Sequence, residues 1–276
     1  MFKPVVFLLT CLLSVIWAKA QNPEQNLFTV SPQTAEPFLY SVTSLTAEDT
    51  HWSFDYSGSY GQNVPGSLGY DGVSQQFAVK GYLGAQFTLY ANAALGFPGE
   101  KNVASAQQAE IIRNLIGGKK PTGIRLGWGI GVRRDFTNVA SLLSRGTLSF
   151  NTNKWKTNGN VLFEKAFASN RDAVDVIFSA GVHYNFAPGF YGGVEAIGED
   201  LEGFWDKEEA EGGAKLLVGP SLNLVPKKSR FSFSVSGGPV FYATQNQMTN
   251  PDAIRELPKD SGLMVKARII FSLSGS

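Results

Sequence analysis

Val174-Asp175-Val176-Ile177-Phe178-Ser179-Ala180-Gly181-Val182-His183-Tyr184-Asn185-Phe186 decides the fold of this chain. Val174, Val176, Phe178, Ala180, Val182, Tyr184 and Phe186 share one face of an extended strand; Asp175, Ile177, Ser179, Gly181, His183 and Asn185 share the other. Side chains alternate across a β-strand, so one face is continuously apolar and the other mostly polar. Stretches of this kind recur about ten times, each followed by a turn or a polar loop. In a chain that begins with an export signal and has no long apolar helix, they predict a barrel with its apolar face outward in lipid.

The ends set the context. Lys3, the apolar run Val5–Trp17 and Ala18-Lys19-Ala20 read as a signal peptide over residues 1–20, cleaved near Ala20. Cys11, the only cysteine, leaves with it, so the mature chain has neither disulfides nor thiol chemistry. Loss of Lys3 and Lys19 takes the formal charge from +1 to −1, a balance that argues against nucleic-acid binding. No later segment approaches the roughly 18 apolar residues of a membrane helix. A closed sheet escapes that requirement, because every backbone group is paired within it.

Residues 21–48, with Pro23, Pro32 and Pro37, read as an N-terminal periplasmic extension, and 49–276 as the barrel. Eleven strands are legible: His51–Tyr60, Gln76–Leu83, Phe87–Phe97, Gly123–Arg134, Ala140–Asn151, Asn160–Phe167, Val174–Phe186, Phe190–Leu201, Gly213–Leu224, Arg230–Ala243 and Leu263–Leu273. Single-chain bacterial barrels have even strand numbers, so twelve are expected, with Phe38–Leu45 a candidate for the missing one and ten strands the fallback. The architecture is an all-β, antiparallel, up-and-down transmembrane barrel. Tight turns at Gly84, Pro188 and Pro226 are expected to face the periplasm. The longer inserts Gly61–Ser74, Pro98–Pro121, Gly203–Gly212 and Thr244–Ser261 are expected outside. Within Pro98–Pro121, Ile111, Ile112, Leu115 and Ile116 have helical spacing, which predicts a short amphipathic helix over Ala104–Ile116 that caps the pore or packs on its rim.

The hairpin Val182-His183-Tyr184-Asn185-Phe186-Ala187-Pro188-Gly189-Phe190-Tyr191-Gly192-Gly193-Val194-Glu195 is similar to those of Gram-negative outer-membrane β-barrels of the transporter-like or channel-like kind. That resemblance extends over the mature chain and specifies a class, not a family. It implies an integral outer-membrane protein among lipid and lipopolysaccharide, inserted by the barrel-assembly machinery with periplasmic chaperones. Such proteins usually end on an aromatic residue; here Phe271-x-Leu273 is the nearest equivalent.

With the apolar faces outward, the opposite faces give the lumen: Asp55, Lys80, Arg125, Arg133, Arg145, Glu164, Asp175, His183, Glu195, Glu199, Lys215, Arg230, Lys266 and Arg268. Eight are basic, five acidic and one is histidine, and placing Arg or Lys against mid-bilayer lipid instead would cost about 2–4 kcal/mol each. These charges fit two readings, an anion-attracting path or a salt-bridged interior with Glu195 and Glu199 neutralising Lys215.

No catalytic residue, cofactor or metal ligand set is assigned. His183 and Asp175 share a face but lie roughly 26 Å apart along the strand, too far for a base and its orienting partner. A serine on an adjacent strand, such as Ser221, could approach His183, but nothing in the spacing requires it, and His51 starts the first strand. Two distant histidines without cysteine make no zinc site. The glycines at 127, 129, 131, 237 and 238 lie inside strands, where no phosphate loop forms. The acidic run Glu199–Glu211 reads as a solvated loop or as a place for divalent cations bridging lipopolysaccharide. The expectation is a passive channel for small solutes. The alternatives are an enzyme acting on lipid or peptide at the rim, and a structural or adhesive barrel with a closed lumen.

Overall fold

The computed structural model describes residues 37–47, 52–64, 68–97, 103–117, 122–168, 174–205, 214–226, 229–243 and 261–273. The signal peptide, Cys11 and His51 lie outside them. Twelve strands form one closed antiparallel barrel: β1 Trp52–Gln62, β2 Gly72–Gly84, β3 Phe87–Phe97, β4 Ala104–Ile116, β5 Gly123–Arg134, β6 Ala140–Asn151, β7 Trp155–Ala166, β8 Asp175–Ala187, β9 Phe190–Glu199, β10 Lys215–Leu224, β11 Phe231–Tyr242 and β12 Gly262–Leu273. Each strand pairs with its neighbours in sequence, and β1 closes on β12 with Trp52 opposite Leu273 and Gln62 opposite Leu263. Closure leaves no unpaired edge, the condition for a sheet in hydrocarbon.

The missing strand is β4, where the sequence predicts a helix. Ile111 faces outward, 47% exposed, while Ile112 is fully buried inside. Two adjacent isoleucines on opposite faces of one strand imitate the spacing of a helix stripe, and the 3.6 period misleads for that reason. Pro98–Pro121 is therefore not a single outer insert: β4 crosses it, pairing Gly96 with Ala104 and Gly127 with Asn114. Phe38–Leu45 is not a strand of the sheet and lies inside the barrel instead.

The outer surface is apolar along the strands, with Ile124, Ile130, Phe77 and Leu148 all more than half exposed. Aromatic pairs gather where the connections are shortest: Trp155 with Tyr184, Phe186 with Phe190 and Phe231 with Phe271, centroids 4.7–5.0 Å apart. Rings with a polar edge favour the water–lipid boundary. Arg113, outward near the end of β4, lies over the Phe87 ring at 5.5 Å.

Connections are on average shorter at one end of the barrel than at the other. At one end the chain turns through 85–86, 117–122, 152–154, 188–189 and 225–230; at the other through 63–71, 98–103, 135–139, 167–174, 200–214 and 243–261. The first strand begins and the last ends at the short-turn end.

Candidate functional site

The lumen holds part of its own chain. Residues 37–47 cross it, with Phe38, Leu39 and Thr43–Thr46 buried. The contacts run from one wall to the other. On β9, Oε2 of Glu195 accepts the backbone N–H groups of Leu39 (2.7 Å) and Tyr40 (3.1 Å). On β7, Oδ1 of Asn160 accepts Val42 N–H at 2.7 Å while its Nδ2 donates to Val42 O at 2.9 Å, and Asn158 donates to Ser41 Oγ at 2.7 Å. On β2, Lys80 donates to Thr43 Oγ1 at 2.7 Å; on β5, Arg125 donates to Ser44 O at 3.1 Å. Finally Thr88 Oγ1 of β3 accepts Leu45 N–H at 2.7 Å. Phe38 sits edge-on to the His183 ring, centroids 5.2 Å apart, in space left by Gly181, where a Cβ would meet the Phe38 ring at 2.6 Å. A segment without secondary structure thus has the N–H groups of Leu39, Tyr40, Val42 and Leu45 and the carbonyls of Val42 and Ser44 satisfied by inward side chains.

Nearer the long-loop end the lumen becomes apolar. The seven consecutive strands β6 to β12 each contribute one buried aliphatic side chain: Leu143, Leu162, Ile177, Ile197, Leu217, Val240 and Met264. Leu162 faces Ile177 across the ladder, and Leu217 lies between Ile197 and Val240. Val64 and Leu68, from the connection between β1 and β2, pack into this layer. The outermost inward positions return to polar residues, among them Glu164, Asp175, Glu199 and Lys215.

Between the inner segment and the aliphatic layer lies a cavity of about 190 Å³. Asp55, Lys80, Arg133, Arg145, Lys266 and Arg268 line it. Most lumen charges are paired. Arg145 donates to both oxygens of Glu110 at 2.8 Å and to Asn160 at 3.1 Å. Arg133 meets Glu164 at 3.0 Å, Lys215 bonds Glu199, and Arg268 lies 4.0 Å from Asp55. The salt-bridged interior is the reading this geometry favours for these four. Lys215 pairs with Glu199 but not with Glu195, which turns to the inner segment and to Ser221.

Arg230 lies one residue before β11 and is exposed at the short-turn end, with its carbonyl accepting Ser272 N–H at 2.8 Å.

The residues a hydrolase would need come together in the wrong order. Ser221 Oγ donates to Glu195 Oε1 at 2.5 Å, and His183 Nε2 lies 3.5 Å from that same oxygen. The carboxylate stands between hydroxyl and imidazole, so the histidine is not placed to take the serine's proton. All three are buried, with Phe38 against the imidazole. At the long-loop rim, carboxylate oxygens of Asp175, Glu199 and Asp200 lie within 4.8 Å of one another, with Lys215 bonded to Glu199. Burial and the neighbouring Glu199 raise the Asp200 carboxyl to about 6. The acidic residues from Asp206 to Glu211 lie outside the described residues.

Three features of the lumen are absent from the sequence reading: the inner segment, the amides Asn158 and Asn160 that hold it, and the aliphatic layer. Alternation contained the last, since Leu143, Leu162, Ile197 and Leu217 occupy inward positions. The amides carry no charge, and nothing in their local sequence marks them as a grip for another segment.

These observations define a twelve-stranded transmembrane β-barrel of the outer-membrane type. No family model and no curated protein matches the sequence. Among solved structures, the fold is similar to the NanC porin (TM-score 0.53, 9% identity, 80% of this chain and 100% of that one). It is also similar to the KdgM porin in complex with disordered oligogalacturonate (TM-score 0.52, 9% identity, 80% and 99%). An outer membrane channel from Pseudomonas putida F1 aligns over 87% of this chain and all of its own, at 10% identity and a TM-score of 0.49. At such identities the likeness is one of fold.

Proposed function

We propose that this protein is a passive outer-membrane channel for small solutes, held closed in the present state by its own residues 37–47. The observation that carries the reading is the occupant. A barrel built only as a scaffold has no need of a separate segment lying across its lumen, gripped by side chains from β2, β3, β5, β7 and β9. Neutral hydrogen bonds contribute about 0.5–1.5 kcal/mol net and those to the charged groups of Glu195, Lys80 and Arg125 about 1.5–3 kcal/mol, whereas ordering the backbone costs about 1–2 kcal/mol per residue. Retention of the segment is therefore close to balance, as a displaceable closure requires. That similar folds belong to the NanC and KdgM porins supports the reading. The long-loop end is assigned to the cell exterior and the short-turn end to the periplasm, following the usual arrangement of such barrels.

The test is planar-bilayer conductance of refolded protein. Full-length protein is expected to be mostly closed, with rare openings. A variant lacking residues 21–47 is expected to conduct steadily. If that variant forms a verified folded barrel and stays silent, the channel reading fails.

A further inference from the structure

The cavity described above has two unlike sides. Leu68, Leu162, Ile177 and Ile197 form an apolar side that continues the aliphatic layer. Across it stands Lys266, whose Nζ makes one hydrogen bond among the described residues, to Oε1 of Gln76 at 3.1 Å. An ammonium carries three donors and is costly to hold away from water against a neutral acceptor alone. The other charges around it are already engaged. Arg145 is held by Glu110, Arg133 by Glu164 and Lys80 by Thr43, while Asp55 lies beside Arg268. Glu195, the next acid, is spent on the backbone of Leu39 and Tyr40 and on Ser221. Cations thus outnumber acids on the cavity wall, and the cation with the fewest partners faces an apolar surface across a small space.

We propose that this cavity is a binding site for a small monocarboxylate with a compact apolar body. Its carboxylate sits on Lys266 and its hydrocarbon part lies against Leu162, Ile177 and Ile197. Size fits the class: a cavity of about 150 Å³ accepts benzene, so a volume of 190 Å³ has room for a six-membered ring with one carboxylate. The site deepens the channel reading and rests on it only in that solutes must reach the lumen.

The probe is cyclohexanecarboxylate, titrated calorimetrically into full-length protein refolded in uncharged detergent, with acetate and cyclohexylmethanol as comparisons. The expected result is saturable one-to-one binding, weakened about tenfold or more for acetate and for cyclohexylmethanol. Lys266→Met is expected to weaken the carboxylate by a similar factor, and Lys266→Arg to retain it. Ile177→Asn, which leaves the charges alone, is expected to weaken it as well. Absence of saturable binding to folded wild-type protein overturns the proposal. So does equal binding of acetate, or binding unchanged in Lys266→Met. Failure here is separable from failure of the channel reading. Conductance of the variant lacking residues 21–47, with no binding to the full-length protein, removes only the site; binding with a silent folded variant removes only the channel.

Discussion

The side-chain amide of Asn160 holds the backbone of Val42 at both of its polar groups, accepting the N–H at 2.7 Å and donating to the carbonyl at 2.9 Å. An amide used in this way does for one residue what a neighbouring strand would do. It fixes a segment in the lumen without adding it to the sheet.

Replacing Asn160 with Leu is therefore expected to loosen the inner segment while leaving the ladder intact. The Val42 N–H loses its partner, at about 1–3 kcal/mol, and the Val42 carbonyl keeps only the longer bond from Asn158 at 3.3 Å. Open probability in bilayers should rise by tenfold or more, and cleavage within residues 37–47 by added protease should accelerate. Unchanged conductance and protection would mean that other contacts suffice.

Gly181→Val tests the same closure from a different wall. The new Cβ would meet the Phe38 ring at 2.6 Å, so Phe38 must leave its place against His183. Valine suits a strand, and the barrel is expected to refold with normal yield. Chymotryptic cleavage at Phe38–Tyr40 and channel opening should increase together. If the segment stays protected, the aromatic contact is dispensable.

The outward face is tested by Ile130→Lys. Ile130 is 67% exposed in mid-strand, where a lysine facing lipid is expected to cost about 2–4 kcal/mol. The urea midpoint in lipid vesicles should fall accordingly. In detergent, where the head group reaches water more readily, the loss should be smaller. An equal loss in both would show that Ile130 packs against protein instead of lipid.

Asp200 gives the rim a pH dependence. Its carboxyl is raised from 3.8 to about 6 by burial beside Glu199, so the folded state binds more protons than the unfolded state between those values. Stability contributed by this group is present at low pH, falls as pH rises from about 4 to 6, and is constant above. Asp200→Asn should stabilise the rim at pH 7.5 by about 1 kcal/mol, the shift being discounted for partial exposure. Near pH 4 the variant should match the wild type. Asp200 holds φ at 49°, a left-handed conformation that asparagine also tolerates, so the backbone need not change. Equal stabilisation at both pH values would assign the effect to something other than ionisation.

Period-two alternation made eleven of the strands legible, together with the direction in which Lys80, Glu164 or Glu199 points, because lipid imposes one physical requirement on every second residue. Where that rule is locally ambiguous the reading fails: Ile111-Ile112 in β4 satisfies a helix stripe as well as two opposite strand faces. Residues 37–47 have no period at all. Their conformation is set by Glu195, Asn160 and Thr88, far away in sequence, and nothing local signals it. The cavity is hidden for the same reason, since Lys266 and Ile197 meet only through closure of the barrel.

Leu45 bonds to Thr88, close to the short-turn end, and β1 starts at that same end with Trp52. The few residues between span at most about 3.6 Å each, so the inner segment is a ligand on a short leash. Its effective concentration in the lumen is then on the order of millimolar or higher, whatever the abundance of the protein. A solute that must displace it competes with that fixed local concentration. Uptake would therefore respond to external solute with a threshold set by the tether, and lengthening residues 48–51 with a flexible insert would lower that threshold without touching a single contact in the lumen.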